Sequence, residues 1–154
     1  MIFNMSIKFE KSSWGVVYRK KDWKIEILLL KWLNSREKEE YVLPKWKIEA
    51  DEIAKDTALR EISEEAGLLE SDLEVIKFIT KLNYTFTAGY LPWRPVIDKD
   101  VYIFLVKYNW ERTPVPRKEE RFVGYDWVNI SKIPKLDLRF DLKGIVSRNR
   151  TYFI

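Results

Sequence analysis

The run Arg60-Glu61-Ile62-Ser63-Glu64-Glu65-Ala66-Gly67-Leu68 holds three glutamates at spacings that an α-helix gathers on one side. At ~100° per residue, Glu61 and Glu65 lie about 40° apart, with Glu64 about 60° to the other side of Glu61. Ala54 and Ala58 share the sector of Glu61 and Glu65, while Leu59, Ile62 and Ala66 form the neighbouring apolar stripe. An acidic face meant only for solvent would lie opposite that stripe. Here it adjoins the stripe, and Glu65 points close to where the helix must pack. Like charges at these spacings repel, and more strongly where water is excluded. Two arrangements relieve the conflict. In one, a divalent cation bridges the acids, since Mg²⁺ takes an octahedron of oxygens that mixes a few carboxylates with waters. In the other, the helix is solvated and Arg60 screens Glu64.

Composition narrows the remaining chemistry. The 154 residues include no Cys and no His, which removes thiolate nucleophiles, imidazole bases and zinc held by those ligands. Hydrolysis then falls to carboxylates, Lys, Tyr, Ser or Thr, or to a hard cation on oxygen ligands. The net charge of +4 suits a polyanionic ligand and equally a basic surface kept for solubility. With 46% hydrophobic and 15% aromatic residues, one compact domain over 1–154 has enough apolar mass for a core. No apolar run approaches the ~20 residues of a membrane span, and Met1–Ser6 lacks the features of a signal peptide. A cytoplasmic location without membrane partners is therefore expected.

The elements that position the acids follow from periodicity. Trp14 to Arg19 and Trp23 to Leu33 read as strands, the latter becoming fully buried through Leu28-Leu29-Leu30. Asn34 to Glu40 reads as an exposed loop, and Tyr41-Val42-Leu43 leads through Pro44 into an irregular connection. A helix is expected over Glu52 to Ala66, with Asp51 as N-cap and Gly67 as a left-handed stop. Glu74 to Phe86 and Asp100 to Tyr108 are expected strands around a loop from Thr87 to Pro95. Arg112 to Arg121 is a second loop, Phe122 to Ile130 a strand, and a closing helix falls within Leu138 to Arg150. Together these predict an α/β (α+β) fold with a mixed β-sheet sandwiched between helices.

The acidic segment resembles the Nudix box, G-x(5)-E-x(7)-R-E-U-x-E-E-x-G-U with U a bulky aliphatic. Glu52, Arg60, Glu61, Ile62, Glu64, Glu65, Gly67 and Leu68 match at every position after the opening glycine. Upstream, Leu43-Pro44, Lys47 and Glu49 stand at the usual intervals. The departure is Lys45-Trp46, where the family has two glycines that permit a strained loop and a close approach of phosphate. Positive φ would be costly for Trp46, so altered access, weak catalysis or a chain that binds without cutting would follow.

The resemblance implies a MutT-like Nudix hydrolase fold and hydrolysis of the diphosphate in a nucleoside diphosphate derivative, such as a dinucleoside polyphosphate or nucleoside triphosphate, with Mg²⁺ or Mn²⁺ as cofactor. By that analogy Glu61, Glu64 and Glu65 supply metal ligands together with the backbone carbonyl of Lys45, and one of them, or a remote Glu, acts as base. Arg60 orients a glutamate, with Glu52 the candidate partner. The family's additional loop acid falls to Glu119 or Glu120, within a run that also reads as a charged surface. Lys47 and Lys99 are candidate phosphate contacts, Lys99 standing just before a strand, and Trp46 and Tyr84, with Phe86, Tyr90 and Trp93, could stack a base. The strand–loop–strand pattern from Leu82-Asn83-Tyr84 to Val101 resembles that of the diadenosine tetraphosphate hydrolases and small MutT-like enzymes. Two alternatives stand beside that substrate: pyrophosphate removal from the 5′ end of RNA, and nucleotide sensing without cleavage. Neither oligomeric state nor the identity of the base is readable from the sequence.

Overall fold

The computed structural model describes residues 6–48, 54–89, 91–138 and 140–154, and of Trp46 and Glu120 it describes the backbone only. Glu49, Asp51, Glu52 and Tyr90, and the side chains of Trp46 and Glu120, lie outside what is described.

Among the described residues, seven strands and two α-helices follow one another as β1 (Ile7–Lys21), β2 (Lys24–Leu33), β3 (Glu39–Val42), β4 (Lys45–Lys47), α1 (Ala54–Ala66), β5 (Leu73–Thr87), β6 (Val96–Tyr108), β7 (Phe122–Asn129) and α2 (Leu142–Arg148). The strands form one mixed sheet with the path β3-β2-β1-β6-β5. Among the described strands only β1 and β6 run parallel, and the connection between them carries α1. Alternate side chains along the central strands face opposite layers, as the strand period requires. Val17, Leu28, Leu30, Phe104 and Val106 pack with Ala58, Ile62 and Ala66 of α1. Val16, Tyr18, Ile27, Leu29, Val101, Ile103 and Leu105 pack with Leu142, Ile145 and Val146 of α2. A strand apolar on both faces belongs inside such a sandwich. No described helix is long and apolar enough to cross a membrane.

One irregularity decides where a site can form. β6 lines one edge of β1 from Ile7 to Tyr18, while the other edge is divided: Tyr18–Lys21 pair with β2, and Ser12–Trp14 pair with β4. β2 likewise leaves β1 after Ile27 and takes β3 along Leu30–Leu33, keeping β7 on its far edge. The two central strands therefore splay apart, and the β3–β4 segment crosses the fork.

Four boundaries differ from the sequence expectation. β1 begins at Ile7 rather than Trp14, because its first half is held by parallel pairing to β6 and not by burial of its own side chains. Glu39 and Glu40, expected in a loop, open β3. Lys99 lies within β6 rather than before it. Lys45-Trp46 form a strand, and neither residue takes positive φ, so the strain foreseen at Trp46 does not arise. The irregular connection after Pro44 is thus replaced by regular antiparallel pairing to Ser13 and Trp14.

Candidate active site

Helix α1 lies against β1 where Gly15 leaves room; a Cβ placed there would stand 2.6 Å from Ile62 Cδ1. Ser13 Oγ donates to the Ala54 carbonyl at 3.4 Å, tying the first turn of the helix to the strand that also carries β4. This seating turns the acidic side as the wheel requires. Glu65 is buried at 2% exposure, the Glu61 side chain keeps 21%, and that of Glu64 keeps 43%.

Two arginines bracket the outer acids. Arg60 Nη1 lies 2.8 Å from Glu61 Oε1 and 3.5 Å from Glu64 Oε2. Arg117 Nη2 lies 3.3 Å from the same Glu64 oxygen. Ion pairs this exposed contribute little to stability, on the order of 0.2–1 kcal/mol. Their effect here is to orient Glu64 and offset its repulsion of Glu61. Arg60 therefore pairs with the acids of its own helix; the partner expected for it, Glu52, lies outside the described residues.

Arg117 was not singled out from the sequence. It arrives because the loop after β6 closes over the C-terminus of α1. Val115 N–H donates to the Ala66 carbonyl at 2.7 Å, and Arg117 N–H donates to the Glu65 carbonyl at 3.0 Å. These bonds satisfy carbonyls that the last helical turn leaves open. Gly67, at φ 68°, ends the helix, and Leu68 N–H donates back to Ser63 at 3.2 Å in a Schellman arrangement. Pro114 and Pro116 stiffen the approach on both sides of Val115, but nothing local links that segment to Glu64. Glu119 is exposed on a 3₁₀ turn over Lys118–Glu120.

Among the described residues, no three acidic groups stand together as a finished cation cage. The donor set nonetheless suits a hard cation. Glu61 and Glu65 offer carboxylate oxygens one turn apart, one of them from a buried position, and Mg²⁺ completes its shell with water. Glu64 would join by exchanging its arginine contacts for the metal.

The fork between β1 and β2 opens into a cleft of about 700 Å³, lined by Trp14, Trp32, Lys45, Tyr84, Phe86 and Lys99 among others. Trp14 stacks on Tyr84 with centroids 6.2 Å apart and takes Phe140 edge-on at 5.8 Å. Lys45 Nζ lies 5.9 Å from the rings of both Trp14 and Trp32. Cross-strand pairing explains the company: Lys45 opposes Trp14, Lys47 opposes Ser12, Lys99 is in register with Glu10, and Tyr84 opposes Lys99. Lys47 Nζ reaches Glu10 at 3.6 Å, and Glu10 also takes Lys8 at 3.5 Å. Burial pushes the Lys99 ammonium pKa down, the Glu10 carboxylate opposes that, and nearby Lys47 adds to it. Four expected contacts, Lys47, Lys99, Tyr84 and Phe86, are thus brought to one region, whereas Trp93 is exposed at 65%. Trp14, Trp32 and Glu10 were missed, since each is placed by pairing across the sheet.

A NUDIX domain model matches residues 10–148, a span that includes the acidic helix, both loops and the cleft. The chain belongs to the NUDIX domain family. Its class is accordingly that of the Nudix pyrophosphohydrolases. No curated protein sequence matches it. Among solved structures, a C. elegans Ap4A hydrolase in a binary complex aligns at 20% identity and TM-score 0.71, over 93% of this chain and 96% of that one. The E. coli dihydroneopterin triphosphate pyrophosphohydrolase aligns at 17% identity and TM-score 0.68, over 92% and 96%. The NUDIX domain of Shewanella oneidensis NrtR, complexed with ADP ribose, aligns at 16% identity and TM-score 0.63, over 99% and 91%. At these identities the likeness is one of fold.

Proposed function

We propose that this Nudix pyrophosphohydrolase cuts the diphosphate linkage of a nucleoside diphosphate derivative, with dinucleoside polyphosphates and nucleoside triphosphates as the substrate class, and that Mg²⁺ serves as cofactor with Mn²⁺ as substitute. One observation carries this. An aromatic cleft holding the Lys45 and Lys99 ammoniums shares the strand pair β1–β4 with the helix bearing Glu61, Glu64 and Glu65. Aromatic walls suit a base, at roughly 1–3 kcal/mol per stacked ring, and lysines suit phosphate as compact charges.

Water attacks one phosphorus of the diphosphate and the bridging P–O bond breaks toward the other phosphate. When bound, the cation supplies charge neutralisation at the phosphoryl oxygens. The chain's own groups do the remainder. Glu61 and Glu65 hold oxygens at the inner side of α1, and one of the three glutamates takes the proton of the attacking water. Arg60 fixes Glu61 at 2.8 Å. Lys99, its charge partly desolvated, gains from a phosphate as counter-ion. The C. elegans neighbour is named an Ap4A hydrolase and the E. coli one a dihydroneopterin triphosphate pyrophosphohydrolase, so proteins of this fold are named for a dinucleoside polyphosphate and for a pterin triphosphate.

The test is a panel of nucleoside triphosphates, sugar nucleotides, dinucleoside polyphosphates and triphosphorylated RNA with Mg²⁺, run beside Glu64→Gln. Turnover of at least one nucleotide is expected, with a loss of about 100-fold or more in the variant. Full turnover by Glu64→Gln would remove the acidic helix from the chemistry. A second reading, nucleotide binding without cleavage, is favoured by the double arginine hold on Glu64. It predicts nucleotide binding with no phosphate release in either metal.

A further inference from the structure

We propose that the tip of the β1–β2 hairpin, Lys20 to Lys24, docks on an anionic lipid bilayer, with Trp23 as the residue that enters it. The tip lies along β1 from Trp14 by roughly 26 Å, at ~3.3 Å per residue, so it is a second surface, independent of the nucleotide cleft. Asp22 and Trp23 form a two-residue turn with φ of 49° and 68°, the positive pair that a type I′ turn requires. Glycine is the usual second residue of such a turn, and a bulky side chain there is strained. The fold gives the indole nothing in return, for Trp23 is 95% exposed.

A second unfavourable feature flanks it. Lys21 and Lys24 are directly opposed on the ladder, where like charges destabilise the pairing. Lys20 projects to the other face of β1, so ammoniums stand on both sides of the turn. Among the described residues, none of these three lysines forms an ion pair. The acids around them are partly engaged: Glu26 holds Arg19 at 2.9 Å and Glu74 opposes Lys107, which leaves Asp22 and Glu111. The same end of the sheet carries Trp110, 59% exposed, which lines a hollow of about 480 Å³ with Lys20, Lys21 and Lys107.

An anionic bilayer relieves each cost. An indole in the interfacial zone covers its apolar body and keeps its N–H hydrated. Lysine stems lie along the apolar boundary while their ammoniums reach lipid phosphates, each worth about fivefold in affinity. The contact is peripheral, since no described helix is long and apolar enough to cross a bilayer. The absence of a span, from which no membrane partner was expected, does not bear on a surface contact. Shape disfavours single-stranded nucleic acid as the occupant. Such a strand follows a groove of cations past rings placed for successive bases, whereas Trp23 stands at the apex of a turn with nothing around it.

Co-sedimentation of the full chain at low salt with phosphatidylcholine vesicles, with and without about 30% phosphatidylserine, is the test. The native protein should bind the anionic vesicles at least about tenfold more tightly, and the difference should vanish near 1 M salt, where the Debye length is about 3 Å. Trp23→Gly should weaken that binding about tenfold or more, while its Tm stays level or rises because glycine accepts a φ of 68°. Lys21→Gln combined with Lys24→Gln should also weaken it by about tenfold or more. Native protein that stays in the supernatant, or either variant pelleting as the native protein does, overturns the proposal. So does an oligouridylate bound in place of vesicles with the same dependence on Trp23, or a dimer formed in their place that Trp23→Gly dissociates.

Discussion

Replacing Gly67 by Ala tests the C-terminus of the acidic helix and the loop that covers it in one step. Gly67 sits at φ 68°, where a side chain costs about 1–2 kcal/mol. The second cost is steric. A Cβ at this position would lie 2.5 Å from the Val115 carbonyl oxygen and 2.8 Å from Val115 N and Cβ. Backbone cannot rotate out of the way as a side-chain tip can, and forced overpacking of this kind costs about 1–3 kcal/mol. The sum is roughly 2–5 kcal/mol, so a central value near 3 kcal/mol lowers Tm by about 6–12 °C in a domain of this size. The shift has a direction as well, because Val115 must move off the Ala66 carbonyl it donates to at 2.7 Å. Arg117, two residues on, then loses its hold on Glu64. Thermal unfolding followed by circular dichroism measures the effect, with Gly89→Ala as control. A Cβ at Gly89 meets nothing within 4 Å, and that variant should unfold within about 2 °C of the native protein. If Gly67→Ala also unfolds within that margin, the loop does not rest on the helix end as described.

Two further outcomes bear on the site and the sheet. Mg²⁺ at about 100 times its Kd should stabilise the native chain by ~2.7 kcal/mol, or roughly 5–11 °C, whereas Glu65→Gln should show less than half that rise over its own metal-free Tm; equal rises in the two proteins would place the cation away from Glu65. The Tyr41 hydroxyl donates to Asp126, which together with burial pushes the phenol up to about 12 from its ordinary 10.0. Below pH 10 the phenol is protonated folded and unfolded and its contribution is complete; as pH climbs toward 12 the unfolded chain ionises first and the contribution is lost. The urea midpoint of the native protein should therefore fall more steeply across that window than the midpoint of Tyr41→Phe, and parallel curves would mean that the Tyr41–Asp126 bond is not formed.

Much of the fold was legible because the signals were local. Leu28-Leu29-Leu30 and Val101 to Val106 read as strands buried on both faces, and they occupy the centre of the sheet. The helical period up to Ala66 and the stop at Gly67 appeared where expected. Where the expectation failed, the missing information was non-local. Ile7 and Phe9 remain 56% and 75% exposed, so no pattern of burial marks them as strand, and only the ladder to β6 does. Lys45-Trp46 looked like a strained loop because two glycines were missing. Pairing with Ser13 and Trp14 supplies an extended conformation that needs no glycine.

The acidic helix divides along the same line. Residue type and the 3.6-residue period alone put Glu65 toward the packing side and Glu61 beside it, since both depend only on positions within one helix. The surroundings of those acids depend on chain closure. Arg117 reaches Glu64 across 53 residues of sequence, and Trp14 meets Tyr84 and Lys45 because β4 pairs antiparallel with β1 on one side and β6, parallel on the other, brings the edge strand β5 with it. By itself the sequence determined which side chains could do the chemistry. Tertiary structure decided which charges and rings they meet, because a strand chooses its partners by the register of the whole sheet and not by its own residues.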